Sequence, residues 1–199
     1  MFPLVWVVSG LLLVLRPLFG GPAGSNQWFK DGLSFGCTGC GKCCKMDGDV
    51  WLSPEEQPAI AAALGETVST FQDKYTRQKL KEWACLNYKS PETLDGGCVF
   101  LTSEGQCGIY ETRPVQCRTY PFWPSLLEDL EAWEGEAVAP DSEVSDRRRW
   151  TLDEGGCEGI NHADAPVIPA DEIEMKRREA RAHWRRFPSR KIKHDTWYL

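Results

Sequence analysis

The sequence predicts a small, irregular, cysteine-rich α+β domain with several short helices and few short strands. Three observations carry that expectation. Nine cysteines are spread through 199 residues, well short of a disulfide scaffold but high for an ordinary domain. Helical signals occur only in short capped segments. Between Cys85 and Cys117, glycines and prolines break the chain into short apolar runs such as CVFL and CGIY, the pattern of turns and small strands.

The first helix is expected from Ser53, where Pro54 and Glu56 complete a capping box with proline at the first helical position, to Gly65, which closes it after AIAAAL. A second is expected over Val68 to Lys81, with Phe71 and Tyr75 on one face facing the core. A third covers Pro124 to Trp133. The fourth covers Asp171 to Phe187, capped by Asp171, with acids in its first turn and bases after it, as the helix dipole favours. Arg113-Pro114 reads as an extended residue before a helical start, which puts Cys117 in a first turn where a thiolate is stabilised.

Lys and Arg number 23 against 29 Asp and Glu, a formal charge of −6, so no specific nucleic-acid partner is expected. Acids crowd residues 128–146. Residues 171–199 carry nine basic side chains against five acidic ones, net +4. A solvated charged helix is the simplest reading of that segment, with protein docking through its basic face as the other. Pro3 to Leu15 form an apolar run of 13 residues, shorter than the about 20 that span a bilayer and closer to the core of a signal peptide. Residues 1–26 therefore read as a signal or leader, for the secretory pathway or an organelle such as a plastid. A membrane enters only if residues 3–15 stay as an anchor. The chain divides into that segment, a cysteine-cluster domain over 27–165 and a basic C-terminal helix and tail over 166–199.

Most of the chemistry is concentrated in Cys37-Thr-Gly-Cys40-Gly-Lys-Cys43-Cys44. Cysteines at i and i+3 reach a common point when the backbone turns tightly, and Gly39 and Gly41 relieve the crowding of such a turn. Disulfides compete with this metal reading. However, tandem i, i+3 bridges have poor geometry, a Cys43–Cys44 bridge is strained, and nine cysteines leave one over. A secretory signal would favour disulfides, so import into a reducing organelle is the route that reconciles leader and cysteines. Arg118 either offsets part of the thiolate charge or makes an ordinary ion pair.

Farther on come Cys98-Val-Phe-Leu, then Cys107-Gly-Ile-Tyr-Glu-Thr-Arg-Pro-Val-Gln-Cys117-Arg-Thr-Tyr-Pro-Phe-Trp-Pro, then Gly-Cys157-Glu-Gly-Ile. With the leading CxxCxxCC, this ordered set resembles the YkgJ-type CxxCxxCC cysteine-cluster family, described as a zinc- or iron-chelating domain, over about residues 33–161. The resemblance implies Cys37, Cys40, Cys43, Cys44, Cys98, Cys107, Cys117 and Cys157 as metal ligands. Members often carry CPGIG where this chain has Cys157-Glu-Gly-Ile-Asn, and His162 is a nitrogen donor close by. Cys85 has no counterpart and is expected to be a buried apolar side chain.

Eight thiolates suit two four-cysteine zinc sites, or one iron–sulfur cluster with a smaller site. The C-x2-C-x2-C run matches the start of a bacterial ferredoxin motif, but the fourth cysteine is adjacent. Iron or an iron–sulfur cluster is the first expectation and zinc the close second. A metal-chelating module is expected rather than an enzyme. The enzyme alternative is a metal-dependent methyl-transfer or redox role, since the family resembles the cysteine-rich part of flagellin lysine N-methylases. No GxGxxG nucleotide loop accompanies it, and the radical spacing CxxxCxxC fails at Asp47. Tyr120 to Pro124 are expected to pack around the centre and limit water.

Overall fold

A computed structural model describes residues 28–45, 48–90, 95–137 and 156–188. The expected leader, the acidic stretch beyond residue 137, and Arg190, Lys191 and Lys193 lie outside these residues. Among the described residues no helix is long and apolar enough to cross a membrane.

The architecture is mixed α and β, built from short pieces. Among the described residues there are three small antiparallel sheets: β1 (Leu33–Ser34) with β7 (Val167–Ile168), then β2 (Trp51–Leu52), β4 (Trp83–Leu86) and β3 (Thr76–Leu80) in the order β2-β4-β3, and β5 (Tyr88–Ser90) with β6 (Asp95–Cys98). The helices are α1 (Glu56–Ala63), α2 (Val68–Tyr75), α3 (Val115–Arg118), α4 (Leu130–Glu136) and α5 (Ala170–Arg186).

Half of the expected capping box forms. Glu56 Oε2 accepts from the Ser53 amide at 2.7 Å, while the Ser53 side chain caps nothing and Gly65 ends the helix in the left-handed region at φ +70°. At α2 it is Thr67 that caps, its hydroxyl accepting from the Thr70 amide at 3.1 Å. The helix expected to run to Lys81 stops at Tyr75. From Thr76 the backbone is extended and pairs with the wholly buried β4, Leu80 opposite Trp83 and Lys79 opposite Ala84. Sheet pairing against a buried strand outweighs weak local helix preference in TRQKL. Phe71 and Tyr75 do share a core face, with rings 5.7 Å apart and Phe100 packed against both.

The third expected helix is displaced towards the C-terminus. Asp129 accepts from the Ala132 amide at 2.8 Å and sets the start at Leu130, so the cap rather than the preceding prolines positions α4. The fourth forms within one residue of its expected span. Its N-cap is Pro169 and no side chain caps it.

Two main apolar clusters flank the cysteine-bearing loops. Phe29, Leu33, Phe122, Leu127, Trp133, Ile160 and Ile173 form one, and Leu52, Ile60, Ala61, Phe71, Leu86, Phe100 and Ile109 the other. Trp133 is 1% exposed and stacks on Phe122 at 5.8 Å. Truncation of Trp133 to Ala is expected to cost about 3–5 kcal/mol by opening a cavity, read by chemical denaturation. A loss under about 1 kcal/mol would mean that this cluster does not hold the fold.

Candidate metal centre

The leading cysteines lie in the loop after β1 and in a 3-10 turn, Lys42–Cys44. Gly39 and Gly41 both adopt φ +71°, as the tight turn requires. Gly41 also meets a neighbour. A Cβ there would stand 2.0 Å from the Gly105 carbonyl oxygen, so the loop lies directly on the segment between Cys98 and Cys107. Gly41→Ala is therefore expected to displace the loop and weaken metal retention at least tenfold, checked by competition with a chelator. Unaltered retention would show that this contact does not shape the centre.

Cys98 ends β6 opposite Tyr88. Cys107 bridges back to Leu101, and the turn between them is closed by Thr102 N to Gln106 O at 2.8 Å and Gly108 N to Phe100 O at 2.8 Å. Cys117 is the third residue of α3, its amide on the Pro114 carbonyl at 2.9 Å. Cys157 bonds through its amide to the Glu136 carbonyl at 2.8 Å, which ties the late loop to the end of α4.

These four segments converge. A cavity of about 410 Å3 is lined by Cys37, Cys43, Cys44, Cys98, Cys107 and Cys117. A second, of about 290 Å3, is lined by Cys37, Cys40, Cys43, Cys117 and Cys157. All eight cysteines implied as ligands border one or both cavities. Among the described residues no three His, Cys, Asp or Glu side chains are grouped so that they could hold a metal ion. All nine cysteines are free thiols, with Cys37 and Cys43 exposed. His162 borders neither cavity, its Nδ1 accepting from the Asp164 amide at 3.2 Å.

The ninth cysteine is elsewhere. Cys85 lies in β4, 0% exposed, among Trp51, Trp83, Trp184 and Phe187. Its thiol donates to the Leu86 carbonyl, and burial pushes it up to about 12.

Hydrogen bonding and burial set the thiol electrostatics. The Cys44 thiol is held protonated, first by its bond with Cys107 and then by that with Cys43. Cys43 and Cys107 are correspondingly lowered, Cys107 to about 6, and the Arg113 guanidinium favours both thiolates. Burial raises Cys98 to about 11, Cys157 to about 12 and Cys117 well above its ordinary value. The helix-start stabilisation expected for Cys117 is thus overcome by desolvation. Four of these thiols, Cys44, Cys98, Cys117 and Cys157, thus resist the deprotonation that ligation demands.

Arg118 forms an ion pair with Glu179 at 2.6 Å. Arg113 takes the role that the sequence offered to Arg118: it lines both cavities, its guanidinium lies 3.8 Å over the Tyr110 ring, and among the described residues no carboxylate pairs with it. The aromatic segment does border the centre. Tyr120 and Trp123 line the larger cavity, Tyr120 and Phe122 the smaller, with a cis peptide between Tyr120 and Pro121. The Tyr120 hydroxyl donates to Glu136 Oε1 at 2.6 Å, and burial lifts that carboxyl to about 7. Sequence reasoning missed Glu136, which lies in an otherwise surface-like acidic run.

No solved structure matches the chain. The family described as CxxCxxCC, putative zinc- or iron-chelating domain, matches residues 36–158, well over half of the chain and every cysteine that borders the two cavities. The chain belongs to the CxxCxxCC family.

Proposed function

We propose that this protein chelates iron, as single ions or as iron–sulfur units, with zinc as the second reading, through Cys37, Cys40, Cys43, Cys44, Cys98, Cys107, Cys117 and Cys157. One observation carries the proposal: cysteines from four separate segments line two adjoining cavities, while the remaining cysteine is buried in an aromatic cluster of its own. Thiolate-only donors suit iron–sulfur units and zinc alike. The room beside the sulfurs in the larger cavity puts iron first, because a four-thiolate zinc closes on its ligands whereas an iron–sulfur unit brings sulfide volume of its own. Bound metal would cross-link these four segments, and iron would add redox chemistry.

The test is an absorption spectrum with elemental and acid-labile sulfide analysis of the full chain purified without oxygen. Visible absorption with iron and sulfide is the expected result. A colourless protein with zinc would move the proposal to its second reading, and a chain that retains neither metal would overturn it.

A further inference from the structure

We propose that His183 makes the docking of α5 acid-sensitive: with a neutral imidazole the last turns of the helix close over β2, β4 and α1, and a proton on the ring releases them. This joint lies apart from the thiols and does not rest on the chelation reading.

The joint is an interface between α5 and three other parts of the fold. α5 buries Ile173, Ala180, His183 and Trp184 along one side, as helical spacing allows. Its C-terminal end carries Trp184 and Phe187 into the cluster of Trp51, Trp83 and Cys85. Phe187 packs on Trp51 at 5.1 Å and on Trp83 at 5.0 Å. His183 is 5% exposed beside them, its ring 4.8 Å from that of Trp83 and 5.3 Å from that of Trp184. A charge on this ring has to be desolvated inside an aromatic wall, or the wall has to open to water.

The polar neighbours do not offset that cost. Glu56 Oε2 stands 3.7 Å from His183 Nδ1, an ion-pair distance that is too long for a hydrogen bond. Both oxygens of Glu56 already accept from backbone amides, those of Ser53 at 2.7 Å and Val115 at 2.6 Å. The other charged groups that act on the ring are cations, Arg118 of α3 and Arg186 of α5. Arg118 is paired with Glu179 and Arg186 with Glu55. From β2 and β4 come Trp51, Trp83 and the buried Cys85 thiol, none of them charged. Burial therefore outweighs the attraction of Glu56 and the Trp51 backbone, Arg118 and Arg186 reinforce it, and the imidazole is held below its ordinary value of 6.5.

The sign of the pH effect follows from that direction. The unfolded chain takes up the proton more readily than the folded one, so the stability contributed by the neutral ring is present above about pH 6.5 and is lost as pH falls through the lower folded value. The exposed pairs Arg118–Glu179 and Arg186–Glu55 contribute little by themselves, which leaves the buried ring to decide whether the end of α5 stays down. α5 also packs on α3, which carries Cys117. On the chelation reading, and only there, an open joint would loosen one wall of the centre.

The test follows hydrogen–deuterium exchange of the full chain, as purified, from about pH 7.5 to about pH 5.5, corrected for the intrinsic pH dependence of exchange. Amides in the last two turns of α5 are expected to lose protection at least about tenfold, while those of α2 keep theirs. Glu136, raised by burial to about 7, titrates in the same range, and thiol ligation weakens towards acid. Both effects persist in His183→Gln, whose side chain takes up no proton, and protection of α5 in that variant is expected to be nearly independent of pH. Should the variant not fold, the imidazole resonance of His183 in the native chain decides, with titration below 6.5 expected in step with the loss of protection. Protection of α5 that does not change with pH, an equal loss in His183→Gln, or an imidazole that titrates above 6.5 would overturn the proposal. Chelation is read separately by spectroscopy and metal analysis, so either reading can fail while the other stands.

Discussion

Replacing Cys43 and Cys107 together with serine is expected to abolish metal retention and to lower the melting temperature by about 10–20 °C. Both sulfurs interact with the Cys44 thiol, and between them they border both cavities. Loss of both therefore disables the centre whether it holds one metal unit or two. Structural zinc supplies about 10–16 kcal/mol in peptides that have no core of their own. This protein has two apolar clusters, so a metal-linked share of about 5 kcal/mol is the reasonable scale. At about 2–4 °C per kcal/mol for a chain of this length, that gives the stated shift. Cys85→Ser is the control, since it should keep a full complement of metal. The same logic sets a pH dependence. Ligation requires deprotonated thiols, and burial already opposes deprotonation at Cys98, Cys117 and Cys157. Metal is therefore lost as pH falls, with release of metal-linked stability on the acid side. Calorimetry and elemental analysis across pH 5–8 check both statements. Retention of metal by the double variant would refute the role given to these sulfurs.

Glu56→Ala is expected to destabilise the metal-free and the loaded protein alike, by about 3–5 kcal/mol. Glu56 Oε2 accepts from the Ser53 amide at 2.7 Å, and Oε1 accepts from the Val115 amide at 2.6 Å. His183 Nδ1 of α5 stands 3.7 Å away. A single carboxylate thus joins the entry of α1 to the first residue of α3, the helix that carries Cys117, and faces the C-terminal helix. Each charge-assisted bond contributes about 1.5–3 kcal/mol, and the amides left behind are shielded from water. Glu56→Gln keeps one acceptor and should lose roughly half as much. Denaturant titration measures both. An alanine variant within about 0.5 kcal/mol of the wild type would show that the clasp is dispensable.

The parts legible in the sequence were those set by local chemistry. The turn of CxxCxxCC needs glycine at Gly39 and Gly41 whatever surrounds it, and both take left-handed backbone. Phe71 and Tyr75 lie on one face because helical spacing puts them there. Cys85, alone in an apolar run, is buried as its surroundings suggest. Elements whose fate depends on a distant partner were misread. TRQKL becomes a strand only because β4 lies beside it. For Arg118 the sequence left two readings open, and the ion pair is the one that forms, with Glu179 61 positions on, while Arg118 borders the smaller cavity and Arg113 both.

The sequence by itself determined the α+β class and the family, because these depend on residue identity and short spacing. Only the tertiary structure decided how the cysteines are shared between two adjoining cavities, and which cations stand beside them. Cys98, Cys107, Cys117 and Cys157 reach the leading loop across 50 to 120 residues of chain, and their positions are set by burial, by sheet pairing and by close backbone contacts such as Gly36 on Gly159. Such contacts arise from the packed whole and leave no periodic trace along the chain.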